Sequence, residues 1–276
     1  LIYRAYFGFS NNHRINSKGL NTSAIFGFTN TLLEVLRKEN PSHIAVVFDT
    51  SGPTARHEEF PAYKAHREEI PEDLAKSIPY IFRLCECFNI PLLTKQGFEA
   101  DDIIGTLAVK AEKEGFDTYM MTPDKDFGQL VDEHTFIYKP ARAGGGAEVM
   151  GPAEVCKRWD IERVEQVKDI LGLMGDASDN IPGIPGVGEK TAIQLVKQFG
   201  SIENLLENTD QLKGKLKEKV ELNKEMAIQS KRLATIILDV PVNNNLNDLI
   251  AVEPDKEKLR ELFTELEFRR LAEQLN

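Results

Sequence analysis

The chain has 276 residues, 41% of them hydrophobic, with 34 basic against 44 acidic side chains and a formal charge of −10. That size and apolar content suit one large or two small cored domains and exclude general disorder, and no run of apolar residues is long enough to cross a membrane. The net acidity argues at first sight against a nucleic-acid partner, because such affinity comes from neutralising phosphates with Lys and Arg. The start, Leu1-Ile2-Tyr3-Arg4, lacks the layout of a signal peptide and begins in mid-pattern, as a piece of a longer chain would. Helical spacing is expected over residues 22–38, 73–89 and 99–114. In the second of these, Leu74, Ile78, Ile81, Phe82, Cys85 and Phe88 form a stripe that reads as core. Strand patterns fall at 43–48 (HIAVVF), 90–94, 117–122 and 135–138. The run 141–146 (ARAGGG) reads as a flexible break, and beyond residue 152 strand signals almost vanish. The expected architecture is therefore α/β, with a mostly parallel central sheet flanked by helices over residues 1–150 and a helical region over 151–276. Cys85, Cys87 and Cys156 are odd in number and form no CxxC pair; they read as core thiols of a reducing cytoplasm.

Two strand patterns end in carboxylates, at Asp49 and at Asp124-Lys125-Asp126, where open α/β sheets place their ligand crevice. A third acidic group opens a helix in Gly97-Phe98-Glu99-Ala100-Asp101-Asp102, with Glu99 and Asp102 on one face. A fourth lies in Gly175-Asp176-Ala177-Ser178-Asp179-Asn180. Each has an ordinary explanation taken alone: acids at a helix start favour its dipole, and Asp builds turns. Taken together they point elsewhere. Carboxylates crowded into one site would protonate unless divalent cations compensate them. Hard oxygen ligands select Mg²⁺ or Mn²⁺, and two such ions support in-line displacement at phosphorus. The implied chemistry is metal-assisted phosphodiester hydrolysis.

Downstream, Asn180-Ile181-Pro182-Gly183-Ile184-Pro185-Gly186-Val187-Gly188-Glu189-Lys190-Thr191 reads as a tight hairpin between two helices, spanning about 165–198. Its glycines permit positive φ, and the amides opening the second helix form an anion site to which Lys190 and Thr191 add contacts. Such a hairpin grips backbone rather than bases. The segment from Ala55 to Arg67 interleaves Arg56, Lys64 and Arg67 with Tyr63, the mixture that holds a strand by charge and stacks a base. It belongs to a mobile arch expected at about 51–72. His57 and His66 read as loop surface rather than as ligands.

The order and spacing of ARHEEFPAYKAHR, PEDL (71–74), GFEADDIIGTLA, TPDKDFGQL, LGLMGDASDNIPGIPGVGEKTA and the closing FTELEF resemble the 5′ nuclease (5′→3′ exonuclease and flap endonuclease) domain of bacterial DNA polymerase I across nearly the whole chain. The resemblance implies a PIN-like 5′ nuclease fold with a helix-hairpin-helix. It also implies structure-specific hydrolysis at 5′ ends and 5′ flaps of DNA, in primer removal and flap processing. Carried over residue by residue, it implies metal ligands at Asp49, Glu99, Asp101, Asp102, Asp124, Asp126, Asp176 and Asp179. Lys64 and Arg67 would assist catalysis and, with Arg4, contact the reacting strand's phosphates, with Tyr63 as a stacking residue; Arg56 joins the DNA contacts on the reading of its own segment. Gly183, Gly186, Gly188, Lys190 and Thr191 would hold duplex DNA, with K⁺ at the hairpin. The cofactor would be two Mg²⁺ or Mn²⁺ ions. The substrate would be DNA with a flap, nick or 5′ end, RNA primers included. The native protein would be a cytoplasmic, nucleoid-associated bacterial monomer with a polymerase domain after this segment. Two departures stand out: Pro123 replaces a small residue, and the family's first strand, with one more metal-site Asp, belongs before Leu1. The latter motivates an alternative, a catalytically silent DNA-junction binder. A phosphatase using Asp124 or Asp126 as nucleophile would leave the hairpin and the Arg-Tyr-Lys segment unexplained.

Overall fold

The computed structural model describes residues 1–9, 11–140 and 145–275. In chain order it begins with α1 (Ile2–Gly8), α2 (Ser23–Lys38), β1 (Val46–Val47), α3 (Ala55–Glu59), α4 (Glu72–Cys87) and β2 (Leu92–Leu93). Next come α5 (Ala100–Lys113), β3 (Thr118–Met121), β4 (Thr135–Lys139), β5 (Glu148–Met150) and α6 (Pro152–Trp159). Helices complete it: α7 (Val167–Met174), α8 (Glu189–Phe199), α9 (Ile202–Glu207), α10 (Gly214–Leu222), α11 (Lys224–Ala234), α12 (Lys256–Glu265) and α13 (Arg269–Glu273). Contacts divide the chain into two compact units, each discontinuous in sequence: Leu1–Phe48 with Glu68–Thr94 and Val242–Asn276, and Asp49–Arg67 with Lys95–Pro241.

The first unit buries one stripe from each of α2, α4 and α12: Ile25, Phe28 and Leu32 meet Ile81, Leu84 and Cys85, and Leu259, Leu262 and Phe263 join them. These are the periodic apolar positions, so the helices form where a face can be buried. The strands are shorter than their apolar runs. β1 pairs with β2 in parallel through only Val46↔Leu92 and Val47↔Leu93, because ladder length follows the partner's reach and not propensity.

In the second unit β3 and β4 are parallel, with Met120 opposite Ile137, and β5 returns antiparallel to β4, with Ile137 opposite Met150. Two of the three pairings are thus parallel, divided between two small sheets, and β5 has too few residues to show a pattern of its own. The proposed break at 141–146 falls in part on residues 141–144, which lie outside the described residues. Met120, Ile137 and Met150 pack in one core with Val155 and Trp159 of α6 and Val167, Ile170 and Leu171 of α7. Local chemistry sets the helix ends. Pro152 occupies the first turn of α6 after Gly151, and α8 stops at Gly200, where φ is +82°.

Candidate active site

All eight proposed carboxylates belong to the second unit. Glu99 stands just before the first turn of α5, and its amide donates to Asp102 Oδ2 at 3.2 Å. Asp49 Oδ1 accepts from the Ala100 amide at 2.8 Å, which ties the Asp49 segment to the same helix start. Ligand atoms of Glu99, Asp101 and Asp102 lie within 4.8 Å of one another. This crowding is unfavourable for ionised groups. Burial, followed by repulsion from Asp102 and Glu99, pushes the Asp101 carboxyl up to about 7.

The three acids have different surroundings. Asp102 is fully buried and its oxygens accept four hydrogen bonds: Oδ1 from Arg56 Nη2 (2.7 Å) and the Ile237 amide (2.8 Å), Oδ2 from Arg56 Nη1 (2.7 Å) and the Glu99 amide (3.2 Å). A carboxylate has about four acceptor sites, and in this arrangement those of Asp102 are all engaged within the protein. Glu99 Oε2 accepts from the Tyr63 hydroxyl at 3.0 Å, and Oε1 accepts from the Lys64 ammonium.

Two further loops carry the remaining acids. Asp124, three residues beyond the end of β3, accepts the Asp126 amide at 2.9 Å and so caps the turn that follows. Burial, then repulsion from Asp124, pushes Asp126 up to about 6. After α7 an antiparallel bridge between Asp176 and Ile181 closes a short loop, in which Asp176 Oδ1 accepts the Ser178 amide at 2.8 Å. Burial opposes ionisation of Asp176, but Ser178 and Lys125 outweigh it and hold the carboxyl below its ordinary range. Lys125 Nζ lies 3.1 Å from both Asp126 and Asp176, joining the two loops. Asp179 receives Arg67 Nη2 at 2.6 Å, and its carbonyl accepts the Lys64 amide at 2.8 Å. Lys64 has a φ of +55°, a left-handed conformation uncommon outside glycine and found where surrounding contacts hold it.

Arg56 and Tyr63 do not face a strand as expected. Tyr63 is 3% exposed, with its ring in the core and its hydroxyl on Glu99. Arg56 is 6% exposed, and its five N–H groups are all engaged within the protein. The apolar neighbours Phe60 and Pro61 were the available hint that this segment packs inward. Arg4 lies on α1 in the first unit, half-buried.

The hairpin forms between α7 and α8. The Val187 amide donates to the Ile184 carbonyl at 2.9 Å across Pro185-Gly186, with Gly186 at φ +79°, the turn in which proline precedes a residue of positive φ. Gly183 has a φ of +58°, and a Cβ there would lie 2.4 Å from the Gly175 nitrogen. Its amide donates to the buried Ser230 Oγ at 2.9 Å. Gly188 and Lys190 are exposed and Thr191 is half-buried at the start of α8. Lys219 of α10, absent from any motif, leans over this turn: its ammonium would be 2.5 Å from a Cβ on Gly186.

Residues 1–160 match the family described as "5'-3' exonuclease, N-terminal resolvase-like domain", and residues 162–257 match "5'-3' exonuclease, C-terminal SAM fold". The chain belongs to the 5′-3′ exonuclease family. This 5′-3′ exonuclease is 42% identical over all 276 residues to DNA polymerase I of Bacillus caldotenax and 42% identical to that of Bacillus subtilis (strain 168). It spans 31% of the length of each. Among solved structures it resembles T5 5′-exonuclease with bound divalent metal ions (zinc), at a TM-score of 0.69, 20% identity, and coverage of 95% of this chain and 94% of that one. It also resembles the catalytic core of Rad2 in complex with DNA substrate, at a TM-score of 0.62, 20% identity and coverage of 95% and 84%. At that identity the likeness is one of fold. Membership of the 5′-3′ exonuclease family makes the chain an enzyme, a phosphodiester hydrolase.

Proposed function

We propose that this 5′ nuclease cuts DNA beside 5′ ends, nicks and 5′ flap junctions, RNA primers included, with Mg²⁺ or Mn²⁺ held by Asp49, Glu99, Asp101, Asp124, Asp126, Asp176 and Asp179. The observation that carries the reading is the crowded oxygen-only donor set at the start of α5, where Asp101 is pushed up to about 7. Such a set fits hard dications, which relieve the repulsion and leave room for phosphate oxygens. When bound, the ions supply a water activated for attack and neutralise charge on the scissile phosphate.

The protein's own groups do the positioning. Lys64 and Arg67 are held by Glu99 and Asp179, from where they turn to the non-bridging oxygens of an entering phosphate and stabilise charge developing there. The exposed face of the hairpin, with the Gly188 amide region, Lys190 and Thr191, holds the duplex through phosphates and without sequence preference. Lys219 brings a further positive charge to the turn at which K⁺ is proposed. Duplex binding is assigned to the helical region 151–276 and most of the metal chemistry to residues 1–150, with Asp176 and Asp179 contributed by the loop after α7. Arg4 is assigned to a strand phosphate. In the whole protein, a cytoplasmic bacterial monomer by this reading, a polymerase region follows as in the relatives of that name.

The test is a 5′-labelled flap substrate in Mg²⁺ against chelator. Asp101→Asn is expected to lose cleavage while retaining duplex binding; cleavage at the parent rate would remove Asp101 from the site.

A further inference from the structure

We propose that Arg56 is a positioning residue of the metal site: it closes a buried ion pair with Asp102 that pins the start of α5 against the end of α11, and so fixes Glu99 and Asp101 in their ligating arrangement. The inference rests on the metal-site reading above and extends it to a residue that touches neither metal nor substrate.

The donor inventory carries the argument. Nε donates to the Leu233 carbonyl at 2.9 Å, Nη1 to Asp102 Oδ2 at 2.7 Å and Glu99 Oε2 at 3.3 Å, and Nη2 to Asp102 Oδ1 at 2.7 Å and the Thr235 carbonyl at 2.9 Å. A guanidinium has five N–H donors in a planar fork. All are consumed inside the protein, so Arg56 has none to offer a phosphate. Asp102 is equally closed, with four acceptors filled. Every donor and acceptor of the pair is thus engaged within the protein, and two of its bonds reach a proposed ligand, Glu99. The carboxylate holds the Glu99 amide, which sets the first turn of α5, and the guanidinium reaches a Glu99 oxygen directly. The other anchor is the pair of carbonyls at the end of α11, the helix whose Ser230 holds the Gly183 amide. Groups that orient metal ligands in this manner commonly cost 10–100-fold in metal affinity when removed. Lysine cannot substitute, because an ammonium has three donors and no fork.

The test titrates Mn²⁺ into the protein by calorimetry without DNA and separately measures duplex affinity in chelator, with circular dichroism as the check on folding. Arg56→Lys is expected to weaken Mn²⁺ binding at least tenfold while duplex affinity stays within twofold of the parent. Asp102→Asn, which keeps the shape of the pair and serves if the first variant does not fold, should lose a similar factor without losing a bound ion. The double variant should be little worse than either single one, since both break one unit. Parent-like Mn²⁺ affinity in Arg56→Lys overturns the proposal. So does a loss of duplex affinity with Mn²⁺ binding intact, which would make Arg56 a DNA contact. If the parent itself binds no Mn²⁺, the metal-site reading fails rather than the role of Arg56 within it.

Discussion

Asp101 and Asp102 are neighbours of one residue type with opposite placements. About 100° separates consecutive side chains on a helix, which is enough to turn Asp102 into a closed ion pair and leave Asp101 among the ligand candidates. Asp101 is held up to about 7 by burial and by its acidic neighbours, against about 4 in an unfolded chain. Its folded value lies above the unfolded one, so its contribution favours the fold at low pH and is lost as pH rises from about 4 through 7. Asp101→Asn removes this penalty. In chelator it should stabilise the protein by about 4 kcal/mol at pH 8 and by about 1 kcal/mol at pH 5, as read from urea unfolding midpoints. Equal gains at both pH values would show that Asp101 is not held protonated. The residue types of the site were legible in the sequence; the orientation of each was not.

At the scale of elements, helices followed their apolar period closely, since α2, α4 and α5 fall within two residues of the ranges expected from spacing. Strands did not, because a two-residue ladder such as β1–β2 is set by a partner far along the chain. The hairpin was legible because its turn chemistry is local. Gly183 tolerates no side chain: its φ is +58° and a Cβ would approach the Gly175 nitrogen to 2.4 Å. Gly183→Ala should cost roughly 2–4 kcal/mol in urea unfolding and weaken duplex binding. Lys219→Met should behave in the opposite way, with stability unchanged and the slope of log K against log salt reduced by about 0.9, the contribution of one phosphate contact. An unchanged slope would remove Lys219 from the interface. No motif contains Lys219; only the fold brings α10 over the turn.

For the molecule as a whole, net charge proved a poor guide to partner. Eight of the 44 acidic residues were assigned to one site, and without them the formal balance would be −2 rather than −10. Distribution decides such matters, not the sum. The sequence by itself determined what depends on chemical type and short-range geometry: the family, the helical periods, the oxygen-rich donor set and the glycines that a tight hairpin requires. Only the tertiary structure decided which charges face one another. Arg56 reads locally as a cation in a basic segment. Its guanidinium turns inward because the Leu233 carbonyl, 177 residues away in sequence, and the buried Asp102 are there to receive it. Tyr63 follows it into the core, and Lys125 faces two acids from separate loops. Side-chain direction is set by desolvation and by partners distant in the chain, which a local pattern of residues does not encode.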